Sequence, residues 1–238
     1  MFVRGPKLPA AKTITPKTIS VSCFRFALQR NCAIMAAASD FVQVAPSVFI
    51  WQAYDSAVKA DLFSSAIVTA NGIFLIDPIP MKNAPFAQLR EEGLIAGIVV
   101  TNFNHRRAFA KFAEQFAVPI FARHGTFPDE TPRQFRRVVD GEKICDELYV
   151  IGIEGAGPGE IVLYHGAADG TLIIGDALIN FEPYGFTFLP RKYCSNEKEM
   201  QRSLRKLLTY KTERVLFAHG PPILSAAKRK LEQLLDKL

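Results

Sequence analysis

The sequence predicts a layered domain of the α/β or α+β class, and three observations predict it. From Phe41 onward, short apolar runs alternate with stretches of helical period. The dipeptides Asn71-Gly72 and Asp169-Gly170 fall between consecutive apolar runs, where they supply the positive φ that tight hairpins need. Strands come first, then strand–helix alternation, then strands and helices again, which is the order of elements in a layered domain. The 238 residues make one large domain or two small ones, with ample chain for a sizeable core. The patterning leaves open whether the strands form one sheet or two packed sheets.

In chain order, residues 48–51, 65–69 and 73–76 read as three early strands. Residues 85–92 read as a short helix with Pro85 near its first turn. Residues 97–101 form an apolar strand ending in polar residues. The next segment, 106–116, places Phe109, Phe112 and Phe116 on one helical face, where they read as core. Residues 119–122, 148–153, 161–164 and 172–174 read as strands. Ser195 is placed to cap a helix running to about Leu208, with Glu197 and Glu199 in its first turns. Residues 214–218 read as a last strand. From Ile223, the residues Leu224, Ala227, Leu231, Leu234 and Leu238 recur at helical spacing.

Charge is unevenly placed. Residues 1–39 hold six of the 29 Lys and Arg and no acid, which leaves 23 basic against 23 acidic residues from Asp40 onward. The basic excess therefore belongs to a leader, and a nucleic-acid footprint is not expected. Rich in Ser, Thr and Ala, that leader reads either as a transit peptide to a plastid or mitochondrion or as an unstructured tail. A further reading is that residues 1–34 precede the true start, for which Met35 is natural; without a transit peptide the protein is expected to be cytoplasmic. No run reaches the roughly 18 apolar residues of a membrane span. Cys23, Cys32, Cys145 and Cys194 show no C-x-x-C spacing, so neither a zinc knuckle nor a redox pair is indicated. Cys145 and Cys194 are expected as free thiols.

Polar residues that end buried strands are the natural site candidates, because a sheet edge gathers them at one mouth. Residues 97–101 open into Asn102-Phe103-Asn104-His105-Arg106-Arg107, residues 172–175 into Asp176, and residues 214–218 into His219-Gly220-Pro221. A glycine-rich stretch, Gly155-Ala156-Gly157-Pro158-Gly159, also follows a strand. It lacks the lysine of a phosphate-binding P-loop and reads as a turn. No serine sits in a G-x-S-x-G nucleophile elbow.

These segments carry a resemblance. Over nearly all of residues 41–238 the chain resembles the metallo-β-lactamase fold, whose members follow a strand-ending Thr with H-x-H-x-D-H. They then have a G-H-x-P-G turn, a G-D-A/S strand end and a final G-H-G. The resemblance implies a four-layer αβ/βα sandwich, two facing sheets with helices outside and the site where their edges meet. The ligands depart from that pattern. Asn102 and Asn104 stand for the first two histidines, Arg106 for the aspartate, Arg107 for the third histidine and Ala156 for the next. Asp176 and His219 remain. The segments T-N-x-x-H-x-R at 101–107 and F-A-H-G-x-P at 217–222 are similar to a less characterised branch of that superfamily.

Guanidinium groups offer no lone pair and repel cations, so the binuclear zinc site is expected to be absent. Without metal, a buried Asp176 needs a cationic partner, and Arg106 or Arg107 is expected to supply it. The leading expectation is a metal-free protein that binds an anionic small molecule through Asn102, Asn104, Arg106 and Arg107, with His105, Asp176 and His219 as residual chemistry. A rival expectation is a hydrolase holding one divalent metal ion through His105, Asp176, His219 and water. A third is a structural or interaction module without ligand, in which His105 and His219 hydrogen-bond loop backbone. His124 and His165 read as surface or supporting residues. Asp77 matches a position that braces the site loop in the family, and equally reads as a turn-former before Pro78. The sequence leaves substrate and oligomeric state open.

Overall fold

A computed structural model describes residues 35–182 and 184–237. Residues 1–34, with Cys23 and Cys32, lie outside the described residues, as does Leu238. Of the expected leader, Ala38 is buried and bridges Met81, accepting from Lys82 N and donating to Pro80 O at 2.9 Å each. The chain is therefore packed on the domain before Asp40.

Two sheets face each other. The first runs β1 (Val42–Ala45), β2 (Val48–Asp55), β3 (Ala60–Thr69), β4 (Gly72–Ile76), β5 (Ile95–Val100), β6 (Ile120–Ala122) and β7 (Phe135–Arg137), in that spatial order. The second has β14 (Arg214–Phe217), β11 (Thr171–Ile174), β10 (Ile161–His165), β9 (Leu148–Gly152) and β8 (Lys143–Cys145), again in spatial order. A two-stranded ribbon, β12 (Leu178–Phe181) with β13 (Gly185–Phe188), completes the strands. Helices α1 (Asn83–Leu89) and α2 (Phe109–Phe116) pack outside the first sheet, and α3 (Glu197–Leu204) and α4 (Ala227–Leu235) outside the second.

The continuous apolar strands follow from burial on both faces. Phe74 and Ile76 of β4 and Val99 of β5 point between the sheets, where they meet Leu163, Ile173 and Leu216. Their neighbours Ile73, Leu75, Ile98 and Val100 point outward against Leu89 and Phe112. On the second sheet Leu172, Ile174, Val215 and Phe217 point outward onto Met200, Leu204 and Leu231. The period of two along each strand sends alternate residues into different layers, and the order helix, sheet, sheet, helix results.

Several boundaries differ from those the sequence predicts. Helix α3 is capped by Asn196 rather than Ser195, because the Asn196 side chain accepts from Glu199 N at 3.2 Å. Helix α2 begins at Phe109, since the chain from Phe103 to His105 is a separate 3-10 turn capped by Asn102. The strands β1, β7, β8, β12 and β13 are not anticipated. They span three or four residues each and alternate too briefly to register.

Parallel pairing sets the site. Strands β4 and β5 run parallel, as do β11 and β14. Their carboxyl ends release Asp77, Thr101, Asp176 and His219 at one edge of the sandwich. There the two sheets are joined directly, Leu62 bridging His219 and Phe63 N donating to Ala218 O at 3.1 Å.

Candidate metal centre

His105 is the pivot of the site. The 3-10 turn after β5 folds it back so that its ring is almost wholly buried between the two sheet edges. On one side Nδ1 lies 2.9 Å from Asp77 Oδ2 and 2.8 Å from Thr101 Oγ1. Asp77 is itself fixed, accepting from Thr101 N at 2.8 Å and from the Thr101 hydroxyl at 2.6 Å, with its own backbone in the left-handed region. With Nδ1 facing Asp77, Nε2 is the nitrogen turned towards the second sheet.

On that second side, His105 Nε2 stands 3.1 Å from Asp176 Oδ1 and 3.3 Å from His219 Nε2, and His219 Nε2 is 3.4 Å from the same oxygen. Three potential donors thus form a nearly equilateral triangle. Asp176 Oδ1 is buried and accepts a well-aligned hydrogen bond from neither ring. The other carboxylate oxygen accepts from Asn104 Nδ2 at 3.0 Å. In a tetrahedral site with bonds of about 2.0–2.1 Å the donor atoms stand about 3.3–3.4 Å apart. The observed separations match those edges, and among the described residues this is the cluster of His, Cys, Asp or Glu able to hold a metal ion. The donor set of two imidazoles and a carboxylate fits a divalent ion with one position left open. The chain therefore retains a candidate one-metal centre, which favours the one-ion alternative over the expectation of none.

The same closeness shifts every titration. Burial works against a charged His105, but Asp176 and Asp77 on either side outweigh it and raise its pKa to about 9. Burial, with His105 and Arg107 as neighbouring charges, pushes His219 down to about 3. Asp176 is held well below the ordinary carboxylate range, the effect of burial being overcome by His105, His219 and the Asn104 amide. Asp77 is lowered too: burial is outweighed by His105, Arg107 and Thr101. Without metal, a proton on His105 is the cation between two carboxylates.

The positions that lost their family ligands are filled otherwise. Asn102 Nδ2 donates to Glu160 Oε2 at 2.7 Å, and Glu160 Oε1 accepts from the backbone N–H of Asp176 at 2.8 Å and of Ala177 at 3.0 Å. Glu160 is fully buried, and burial together with the charge of Asp176 pushes its pKa up to about 8. A side chain on Gly175 would place its Cβ 2.7 Å from Thr101 Oγ1 and 2.8 Å from Glu160 Oε1, so only glycine lets these groups close together. Sequence reasoning missed Glu160. Its one sequence signal is an acid opening the apolar run Ile161-Val162-Leu163.

The expected pairing of Asp176 with Arg106 or Arg107 is not found. Arg106 stacks on the Phe103 ring, 4.3 Å from its centroid, and approaches Asp129 at 3.7 Å on the surface. Arg107 turns inward instead and donates to the backbone carbonyls of Phe63, of Asp77 at 3.1 Å and of Ala218 at 3.3 Å. His105, folded back by the 3-10 turn, takes the place beside Asp176 instead. Of the four residues expected to bind substrate, Asn104 and Arg106 reach the surface, whereas Asn102 and Arg107 spend their donors inside the protein. His105 meets Asp77, Thr101, Asp176 and His219 with its ring nitrogens, not loop backbone. His165 is buried at the end of β10, where it contacts Ser47 Oγ at 3.1 Å and Glu147 O at 3.2 Å.

Two facing sheets with helices outside and a polar site at their joined edges define a metallo-β-lactamase-like architecture, and the sequence comparison agrees with it. Residues 42–238 match the model of the metallo-β-lactamase superfamily, and the chain belongs to that superfamily. No curated protein sequence matches it. Among solved structures, the metallo-β-lactamase DIM-1 aligns with a TM-score of 0.67 at 15% identity, covering 85% of this chain and 99% of that one. A metallo-β-lactamase family protein from Thermus thermophilus aligns at 0.60 and 18% identity, over 82% and 80%. The metallo-β-lactamase FIM-1 from Pseudomonas aeruginosa, in its mono-zinc form, aligns at 0.62 and 13%, over 85% and 96%. At such identities the likeness is one of fold. Among the described residues no helix is long and apolar enough to cross a membrane.

Proposed function

We propose that this protein is a hydrolase of the metallo-β-lactamase superfamily working with one divalent ion, held by His105 Nε2, Asp176 Oδ1 and His219 Nε2. The observation that carries this reading is the triangle of buried donors, Asp176 Oδ1 at 3.1 and 3.4 Å from the His105 and His219 Nε2 atoms and those nitrogens 3.3 Å apart, the edge lengths of a tetrahedral site. Without metal the His105 proton offsets this buried carboxylate; a divalent ion held by all three donors would take over that role. When bound, such an ion supplies Lewis acidity and lowers the pKa of its water.

The chain's own residues do the rest. Asp77 and Thr101 fix the tautomer and plane of His105, the outer-shell arrangement that typically changes metal affinity about 10- to 100-fold. Asn104 holds the second oxygen of Asp176, so that only the first faces the imidazoles. Arg106, its side chain 30% exposed over Phe103, offers a planar cation at the rim. It supports an anionic small molecule as the substrate class.

Metal analysis and thermal melting of protein without a histidine tag test the reading. One zinc or manganese ion per chain is expected, with stabilisation of about 4 kcal/mol at a thousandfold excess over Kd. His219→Ala should lose both. A wild-type protein that takes up no ion and melts at the same temperature with and without metal overturns the proposal.

A further inference from the structure

We propose that Arg107 is the positioning residue of the metal centre, its guanidinium acting as an internal cation that holds the two sheet edges at the spacing the three donors need. The inference rests on the single-ion reading above and adds to it a residue that touches neither ion nor substrate.

Three carbonyls converge on this one side chain, and each belongs to a different part of the site. Phe63 lies in β3, Asp77 follows β4, and Ala218 follows β14 in the opposite sheet. The Asp77 whose backbone is gripped is the residue whose carboxylate orients His105. The Ala218 whose carbonyl is gripped immediately precedes His219. That same carbonyl also accepts from Phe63 N at 3.1 Å, and Leu62 bridges His219, so Arg107 caps the strand-like join between the two sheets. One guanidinium therefore ties the supports of both histidine donors together.

The backbone points the same way. Arg107 has φ +33°, outside the ordinary right-handed and extended regions, and a non-glycine residue keeps such a conformation only where its surroundings over-determine it. An arginine suits the task because its fork presents several fixed donors at once, whereas a lysine ammonium is a compact point charge on a flexible stem. Its neighbour Arg106 makes no such contacts and lies on the surface side, 4.3 Å over Phe103. Two adjacent arginines have taken opposite roles.

The test uses Arg107→Met and Arg107→Lys in the whole chain, with two readouts. Cobalt(II) binding followed by its visible absorption reports the donor geometry. The ring signals of the four histidines in isotope-labelled, metal-free protein report it without any ion. The rings of His105 and His219 lie 5.4 Å apart between centroids, close enough for a proton–proton Overhauser contact, while His124 and His165 serve as internal controls. Arg107→Met is expected to lose that contact, move both signals, leave the controls in place and weaken cobalt at least about tenfold with a changed spectrum. Arg107→Lys should recover part of the affinity. Ring signals and cobalt affinity within about twofold of wild type in a folded Arg107→Met protein overturn the proposal. Should that variant not fold, unchanged ring signals in Arg107→Lys overturn it equally. A wild type that takes up no cobalt removes the single-ion reading alone, and the metal-free ring signals still decide the role of Arg107.

Discussion

Two clusters of buried polar groups meet at Asp176, one around Glu160 and one around His105, and they are finished differently. Glu160 is saturated: Asn102 and the N–H groups of Asp176 and Ala177 occupy its two oxygens. The His105 cluster is crowded instead, with two imidazole nitrogens and one carboxylate oxygen within 3.1–3.4 Å of one another. In the first, both oxygens are met by hydrogen-bond donors. In the second, a proton on His105, with Arg107 nearby, balances the charge of Asp77 and Asp176. Loss of most of a family's ligand pattern therefore need not remove every donor from the site region. A sealed half and an open half can sit side by side, and hydrogen-bond satisfaction tells them apart.

The largest effect should come from breaking the sealed half. Glu160→Ala leaves the Asn102 amide and two backbone N–H groups buried without acceptors, at about 1–3 kcal/mol for each unsatisfied group. We expect a loss of about 3–5 kcal/mol in denaturant unfolding, with the midpoint lowered and the slope unchanged. A loss under about 1 kcal/mol would mean that water replaces the carboxylate and that the cluster is not sealed. Next in size is a change that touches only the open half. Asp77→Asn keeps the volume but removes the charge and one of the two acceptor oxygens, so a single amide oxygen must serve both Thr101 N and His105, and metal affinity should fall about 10- to 100-fold by calorimetric titration. Unchanged affinity would show that Thr101 alone orients the ring.

A smaller effect is expected from pH in the metal-free protein. The fold holds the His105 proton to about pH 9, against 6.5 as its ordinary value, so the folded state binds more protons across that window. The resulting stability is fully present below pH 6.5 and is lost as pH rises through 9. Glu160, pushed up to about 8, adds a slope of the same sign from 4.5 to 8. His219, pushed down to about 3, acts only below 6.5, with the opposite sign. Melting temperature should therefore fall between pH 6.5 and 9, and His105→Asn should remove the part of that slope above pH 8. A wild-type melting temperature flat from pH 6.5 to 9 would place the proton elsewhere.

Much of this arrangement is legible in the sequence because strand ends are legible. Continuous apolar runs such as Gly97-Ile98-Val99-Val100 and Leu172-Ile173-Ile174 announce strands buried on both faces, and the polar residues that terminate them must gather at one edge. That places Asp176, His219 and the segment 101–107 together before any coordinate is known. What sequence does not carry is direction. Asn102, Asn104, Arg106 and Arg107 are equally polar in the sequence, yet a 3-10 turn of three residues sends His105 inward and Arg106 outward. Glu160 escapes notice because an acid beside a glycine-rich turn reads as solvated, and only long-range contacts with Asn102 and Asp176 reveal its burial. The ribbon of β12 and β13 escapes because its strands are short and half-buried.

Anomalous diffraction at the zinc edge, on crystals of the tag-free protein grown with zinc, decides whether the three donors share one ion. A single peak is expected, bonded to His105 Nε2, Asp176 Oδ1 and His219 Nε2, with Arg107 still on the carbonyls of Phe63, Asp77 and Ala218. A peak bound anywhere else, or none at saturating zinc with the three donors in place, would refute the one-ion centre.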